Sequence, residues 1–291
     1  MTENKKPLII FDTDMDTDCD DAGALLMLIN AHVQGDIDLL GVVADSLCSY
    51  AAPFCKAVLD YYSLDLPAGE IYGYLENKKR FEGYRHHQEL CAPVAYNKML
   101  SKRCDGIYNS TDLYRELLEK AEDKSVTVLC VGMLTAVYEA MVAEPKLFEQ
   151  KVCRVVLMGN PYKKNDFNFS MDAESTKGFF ALCPCPVYIS YTGSDVITGK
   201  YLKDTLPENH PVRQAYEIWC KDAGRSSWDL IAALFAITPT SSLFKVQDTG
   251  RISYNECELV SIIEKDAHPH TVVTLSCTSE EMERILNGLL K

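Results

Sequence analysis

The chain is short of positive charge. It has 29 Lys and Arg against 42 Asp and Glu, a formal charge of −13 over 291 residues. That balance argues against a nucleic-acid partner, because phosphate-backbone affinity comes from Lys and Arg releasing counterions; it leaves neutral small molecules such as nucleosides open. Long apolar runs are also missing. Stretches such as Val126 to Val131 fall far below the roughly 20 residues of a membrane span, so no membrane partner is expected. The opening Met-Thr-Glu-Asn-Lys-Lys-Pro has neither an apolar h-region nor a small-residue cleavage site, and a cytoplasmic location is the expectation. Among the 12 cysteines there is no Cys-x-x-Cys pair; Cys183 and Cys185 flank a single proline and the rest are scattered. They read as reduced, buried thiols rather than a disulfide framework, a zinc site or a redox pair. Internal repeats and Gly/Ser linkers are absent. With 47% apolar and 24% charged residues the composition excludes disorder, and residues 1–291 are expected to form one domain.

What is present is an alternation. Short apolar runs at Leu8–Phe11, Leu39–Ala44, Val126–Val131, Arg154–Met158 and Val187–Tyr191 alternate with helical periodicity, notably over Asp20–Gln34, up to Tyr62, and over Leu134–Val142. Continuous apolar strands between helices predict an α/β fold with a doubly wound, mostly parallel sheet flanked by helices, Rossmann-like and single-domain. Ligands in that architecture sit at the carboxyl ends of the strands. Residues 74 to 110 break the pattern and are expected to form a loop or lid. Gln247 to Ser276 predicts short strands, followed by a helix from Ser279 to Leu290 capped by Ser-Glu-Glu.

The residues after the first strand carry the strongest chemical signal. Six aspartates (Asp12, Asp14, Asp16, Asp18, Asp20 and Asp21) fall within ten positions. Ionised carboxylates this close repel, and a hard cation such as calcium or magnesium is the simplest compensation. The competing reading is a solvated loop in which Asp20 or Asp21 caps a helix. An EF-hand is excluded, because counting from Asp12 its Gly and Glu positions hold Thr17 and Gly23. A haloacid-dehalogenase-type phosphatase would use Asp12 as nucleophile and Asp14 as acid/base, but the Ser/Thr and Lys expected later in such a chain are not convincing here.

The third pattern is Asp12-Thr13-Asp14, a turn, then Asp20-Asp21-Ala22-Gly23-Ala24-Leu25. It is followed in order by Gly132-Met133-Leu134-Thr135, Val155-Val156-Leu157-Met158-Gly159, Asp166-Phe167-Asn168 with Asp172-Ala173-Glu174, and Trp228-Asp229-Leu230-Ile231-Ala232. Across roughly residues 7 to 240 this ordered set resembles the inosine–uridine-preferring nucleoside hydrolases. The resemblance implies calcium-dependent hydrolysis of the N-glycosidic bond of a ribonucleoside, giving ribose and free base. It implies an ion held by Asp14, Asp21, the Val131 carbonyl and Asp229, with Asp14 as general base. It places Asp20, Asp166 and Asn168 on sugar hydroxyls with Met158 against the ring, and it suggests a homodimer or homotetramer. The residues fit that chemistry: a hard cation lowers the pKa of its water, and an acidic cleft favours an oxocarbenium-like transition state.

Departures from the family pattern mark where specificity is expected to differ. Asp16 stands where glycine is usual, Asp18 is a spare carboxylate, and Asp45 or Ser46 takes the place of an Asn, which makes Ser46 a candidate substrate contact. Trp228 stands where many members have a His, and an aromatic there is a candidate to stack on the base. His86 and His87 are candidate leaving-group acids. Gly193 to Lys200 has five residues between its glycines where a phosphate loop has four, and reads as a connection. A non-catalytic riboside- or sugar-binding relative is the alternative to the enzyme.

Overall fold

The computed structural model describes residues 6–71, 90–93, 106–254, 261–264 and 270–291; His86 and His87 lie outside them. The first half of the chain alternates as β1 (Leu8–Thr13), α1 (Asp20–Gln34), β2 (Asp38–Ala44), α2 (Ala51–Tyr61), β3 (Ala68–Glu70), β4 (Ile107–Asn109), α3 (Ser110–Lys120), β5 (Val126–Cys130), α4 (Thr135–Ala143) and α5 (Pro145–Lys151). The second half runs β6 (Val152–Met158), α6 (Phe167–Met171), α7 (Ala173–Leu182), β7 (Val187–Ser190), β8 (Ile197–Thr198), α8 (Leu202–Thr205), α9 (Pro211–Trp219), β9 (Arg225–Ser226) and α10 (Trp228–Ile237). The chain closes with β10 (Phe244–Tyr254), β11 (Ser261–Glu264), β12 (His270–Leu275) and α11 (Ser279–Leu289).

Ten strands form one sheet in the order β11-β10-β12-β7-β6-β5-β1-β2-β3-β4. Pairing is parallel from β12 through β4 and antiparallel where β10 meets β12 and β11. The parallel strands explain the continuous apolar runs: on β1, Ile9 and Phe11 enter one core while Ile10 enters the other, so both faces bury side chains. The first core is closed by α1, α2, α9, α10 and α11, the second by α3, α4 and α7. Burying a side chain such as Phe11 stabilises the fold by about 1.5–3 kcal/mol.

Connectivity fixes where a ligand can enter. From β1 the chain moves outward through β2, β3 and β4, then returns to lay β5 on the other side of β1. The strand order therefore reverses between β1 and β5, and a crevice opens beyond their carboxyl ends. The backbone closes tightly there: Val131 N donates to Asp12 O at 2.9 Å and Asp45 N to Thr13 O at 2.8 Å. Gly132 allows this approach, because a Cβ on it would meet Asp14 N and Cβ at 2.6 Å.

Two local expectations change. The last helix is capped by Thr278, whose Oγ1 accepts from Glu281 N at 3.2 Å, one residue before the expected cap. Of the C-terminal strands, β11 and β12 are short as expected, at 4 and 6 residues, but β10 is not. β10 runs for 11 residues and, with β12, extends the main sheet.

Candidate active site

The acidic segment is a buried turn. Thr17 N donates to Asp14 O at 3.1 Å, and Met15 and Cys19 anchor the turn in the core. The α1 N-cap is Cys19, with no side-chain cap, so Asp20 and Asp21 occupy the first helical turn and are not caps. Asp16 adopts φ 91°, a left-handed conformation that glycine takes without strain. Its Oδ1 accepts from Cys91 N at 2.7 Å, an anchor a glycine would lack.

The turn forms the floor of a cleft of about 440 Å³ beyond β1 and β5, lined by Asp14, Asp20, Asp21, Val131 and Asp229 among others. Carboxylate oxygens of Asp20, Asp21 and Asp229 all lie within 4.8 Å of one another. Asp20 Oδ2 accepts from Asp229 N at 3.2 Å, and Thr13 Oγ1 donates to Asp21. Asp14 Oδ2 is buried with no hydrogen-bond partner among the described residues. Burial, and then mutual repulsion, raises Asp20, Asp21 and Asp229 well above the usual carboxylate range, and burial raises Asp14 to about 7. The three converging carboxylates fit a divalent cation. Asp20, expected on the sugar, is among them, while Asp14, expected as a ligand, is outside that group and lines the same cleft with its Oδ2 unpartnered.

A second acidic layer lies below. Asp12, raised to about 8 by burial, accepts from Tyr114 OH at 2.5 Å, and Asp45 Oδ2 accepts from Ala136 N at 2.8 Å. Neither Asp12 nor Asp45 lines the cleft. Ser46 does not line it either: it is buried, and its Oγ accepts from Cys48 N at 3.1 Å.

The remaining expected residues gather on the wall. Met158, Asp166, Asn168 and Trp228 all line the cleft. Asn168 Nδ2 donates to the Val131 carbonyl at 2.6 Å and to Met158 O at 3.1 Å, tying the ends of β5 and β6 together. Asp166 caps α6, and burial raises its carboxyl.

The sequence reading missed Arg225. Its Nε donates to the two Asp18 oxygens at 2.9 and 2.7 Å, with a further bond from Nη2 to Oδ2, and its guanidinium lies 5.1 Å from the Trp228 ring centroid. Asp18 is therefore committed to an ion pair. Arg225 stands on the small β8–β9 sheet, where Thr198 and Ser227 hydroxyls meet at 2.8 Å. Gly193 admits the Trp228 backbone, since a Cβ there would come within 2.8 Å of it. A lone arginine three residues before an aromatic was the only sequence signal.

Fold and site together define an α/β protein with a doubly wound sheet and, at its switch point, a buried carboxylate cluster that could hold a cation. The family model for inosine-uridine preferring nucleoside hydrolase matches residues 9–282, and the chain belongs to that family of enzymes. Solved structures with the same fold include an inosine-uridine preferring nucleoside hydrolase from Bacillus anthracis (TM-score 0.73, 16% identity, covering 98% of this chain and 99% of that one). The type III effector protein XopQ, solved with adenosine diphosphate ribose, is similar at TM-score 0.74 and 15% identity, over 99% and 94% of the two chains. A purine-preferring ribonucleoside hydrolase from Gardnerella vaginalis gives 0.68 and 16%, over 98% and 99%. Among curated proteins none matches the sequence. No helix among the described residues is long and apolar enough to cross a membrane.

Proposed function

We infer that the protein hydrolyses the N-glycosidic bond of ribonucleosides with calcium as its ion. The observation that carries this reading is the convergence of the Asp20, Asp21 and Asp229 oxygens beside the unpartnered Asp14 Oδ2. Asp14, Asp21, Asp229 and the Val131 carbonyl would hold the ion, and Asp20 is close enough to Asp21 and Asp229 to share that role. When bound, calcium supplies the charge that offsets carboxylate repulsion and acidifies a water.

The chain's own groups do the rest. Asp14 takes a proton at Oδ2 from the attacking water. Asp20, Asp166 and Asn168 hold sugar hydroxyls, Met158 packs against the ring, and the anionic floor favours positive charge developing on the ribose. Trp228 stacks on the base. Ser46, buried off the cleft, does not touch substrate in this reading. The reading includes a cytoplasmic homodimer or homotetramer, which light scattering of the purified chain tests.

The deciding experiment is incubation of chelated and calcium-reloaded protein with a panel of ribonucleosides, assayed for released reducing sugar. Calcium-restored release supports the reading. Nucleoside binding by calorimetry without any release would favour a non-catalytic riboside-binding relative.

A further inference from the structure

Far from the cleft, the connection from α7 to β7 brings two thiols together. Cys183 N donates to Phe179 O at 2.8 Å, which holds Cys183 at the end of α7. Two residues on, Cys185 leads into β7. Their Sγ atoms lie 3.6 Å apart, across Pro184. The thiols differ in access: Cys183 is half-buried between exposed Leu182 and Pro184, whereas Cys185 is 1% exposed and packs into the core closed by α3, α4 and α7. Closing a disulfide requires the sulfurs to approach by about 1.5 Å, to a bond of about 2.05 Å. Proline fixes one backbone angle between them and so limits how far they can drift apart.

We propose that Cys183 and Cys185 form a reversible dithiol–disulfide site that reacts with small-molecule disulfides, Cys183 attacking and Cys185 resolving. The half-buried thiol has the chemistry for the first step: it is the more accessible of the two sulfurs, and its hydrogen-bonding contact with Cys185 lowers its pKa while Cys185 is raised. The Cys183 thiolate attacks one sulfur of a disulfide RSSR, forming Cys183–S–S–R and releasing RS⁻. Cys185 then loses its proton and attacks the Cys183 sulfur, forming the intramolecular bond and releasing the second RS⁻. Two protein thiols lose two electrons and two protons, and RSSR becomes two RSH. The site lies at the amino end of β7, whereas the cleft lies beyond the carboxyl ends, where Met158 pairs with Ser190. Closure is therefore independent of the hydrolase reading.

The test incubates the full calcium-loaded chain with glutathione disulfide, quenches in acid, alkylates free thiols and digests with trypsin. Cleavage after Lys177 and Lys200 isolates Gly178–Lys200, which contains Cys183 and Cys185 and no other cysteine. The expected product is this peptide about 2 Da lighter and unalkylated, reverting with dithiothreitol. Cys185→Ser should stop at glutathione on Cys183, and Cys183→Ser should leave Cys185 free; both variants should keep the wild-type circular dichroism. Nucleoside hydrolysis should change by less than about twofold on closure, as expected for distant sites. An unmodified wild-type peptide would overturn the proposal. So would wild type halting at glutathionylated Cys183, or closure of another facing pair, Cys19 and Cys220, while Cys183 and Cys185 stay reduced.

Discussion

The floor of the cleft and its Arg225–Trp228 wall are held by different kinds of structure. Floor residues Asp14, Asp20 and Asp21 follow β1, near the centre of a ten-stranded sheet, and are at most 2% exposed. Burial and repulsion make them costly as neighbouring anions, a cost relieved only by protons or a cation. The wall hangs on a two-residue strand pair, and its ion pair is partly solvated, with side-chain exposures of 34% for Arg225 and 17% for Asp18. Such a pair contributes little stability, around 0–1 kcal/mol at the surface and somewhat more when partly buried. What it does contribute is orientation, because a bidentate carboxylate fixes the plane of the guanidinium that lies against Trp228. A rigid floor suits the reaction common to a family; a tunable wall suits the choice of base.

The sharpest way to break this division is Asp14→Asn. Removing a general base costs about 10²–10⁴-fold in kcat, and the lost anionic ligand adds to that. The fold should survive, because an amide of the same shape removes a buried charge. The metal-free variant should melt at or above the wild-type temperature in chelator. Near-wild-type turnover would take Asp14 out of the mechanism.

Calcium removal comes next. An ion that binds only the native state at about 100 times its Kd stabilises it by about 2.7 kcal/mol, or several degrees in thermal midpoint for a chain of this size. Chelation should remove that gain, and Asp229→Asn should shrink it. A melting curve unmoved by chelator, on protein shown to be loaded, would contradict the floor as an ion site.

Arg225→Gln tests the wall alone. The gain in midpoint with calcium should be unchanged, while kcat/KM for nucleosides falls about 10–100-fold, the range of a 1.4–2.7 kcal/mol loss. Stability should fall by about 1 kcal/mol as Asp18 loses its partner. Asp18→Asn should reproduce the kinetic loss through Arg225 orientation, and the double variant should be no worse than either single one. Additive losses would mean the two residues act separately on the substrate.

The same division explains what the sequence made legible. Parallel strands buried on both faces must be apolar throughout, so β1, β2, β5, β6 and β7 were readable, and the aspartates after β1 could be placed at the strand ends. Local signals failed where long-range partners decide. Asp18 and Arg225 are 207 positions apart, and nothing near Asp18 says that it faces a guanidinium. Asp16 reads in sequence only as a residue standing where glycine is usual; its backbone takes the left-handed turn that glycine would, and its carboxylate anchors Cys91. The three-residue strands β3 and β4 are too short to show a period. Half-exposed β10 earns its place through pairing with β12. In sequence Cys183 and Cys185 flank a proline and read as reduced thiols rather than a redox pair; only the 3.6 Å approach shows that their sulfurs face each other.

The smallest expected effect lies at the antiparallel edge and carries the opposite pH sign to the floor. His270 on β12 is buried; its Nδ1 accepts from Ile252 N at 2.8 Å, and the Phe180 ring packs against it at 5.3 Å. Burial, with a smaller contribution from the Arg251 charge, pushes it down to about 4 from an ordinary 6.5. Below pH 6.5 the unfolded chain therefore binds a proton that the folded chain refuses, so stability contributed by neutral His270 is lost as pH falls from 6.5 toward 4. Floor carboxylates, raised in the metal-free chain, have the reverse linkage: their protons favour the folded state, and stability falls as pH rises through their folded pKa values. Calcium-loaded protein suppresses the floor contribution, and subtracting a His270 variant removes that of the other raised carboxylates, Asp12, Asp16 and Asp45. In that form the stability of wild type relative to the variant should drop by about 1–2 kcal/mol between pH 6.5 and pH 5, read from urea midpoints at each pH. His270→Asn supplies an oxygen to the Ile252 N–H but does not titrate, so its urea midpoint should lack the acid-side fall that wild type shows over the same interval. An equal slope in wild type and variant would move the acid sensitivity away from the antiparallel edge and back to the carboxylates of the cleft.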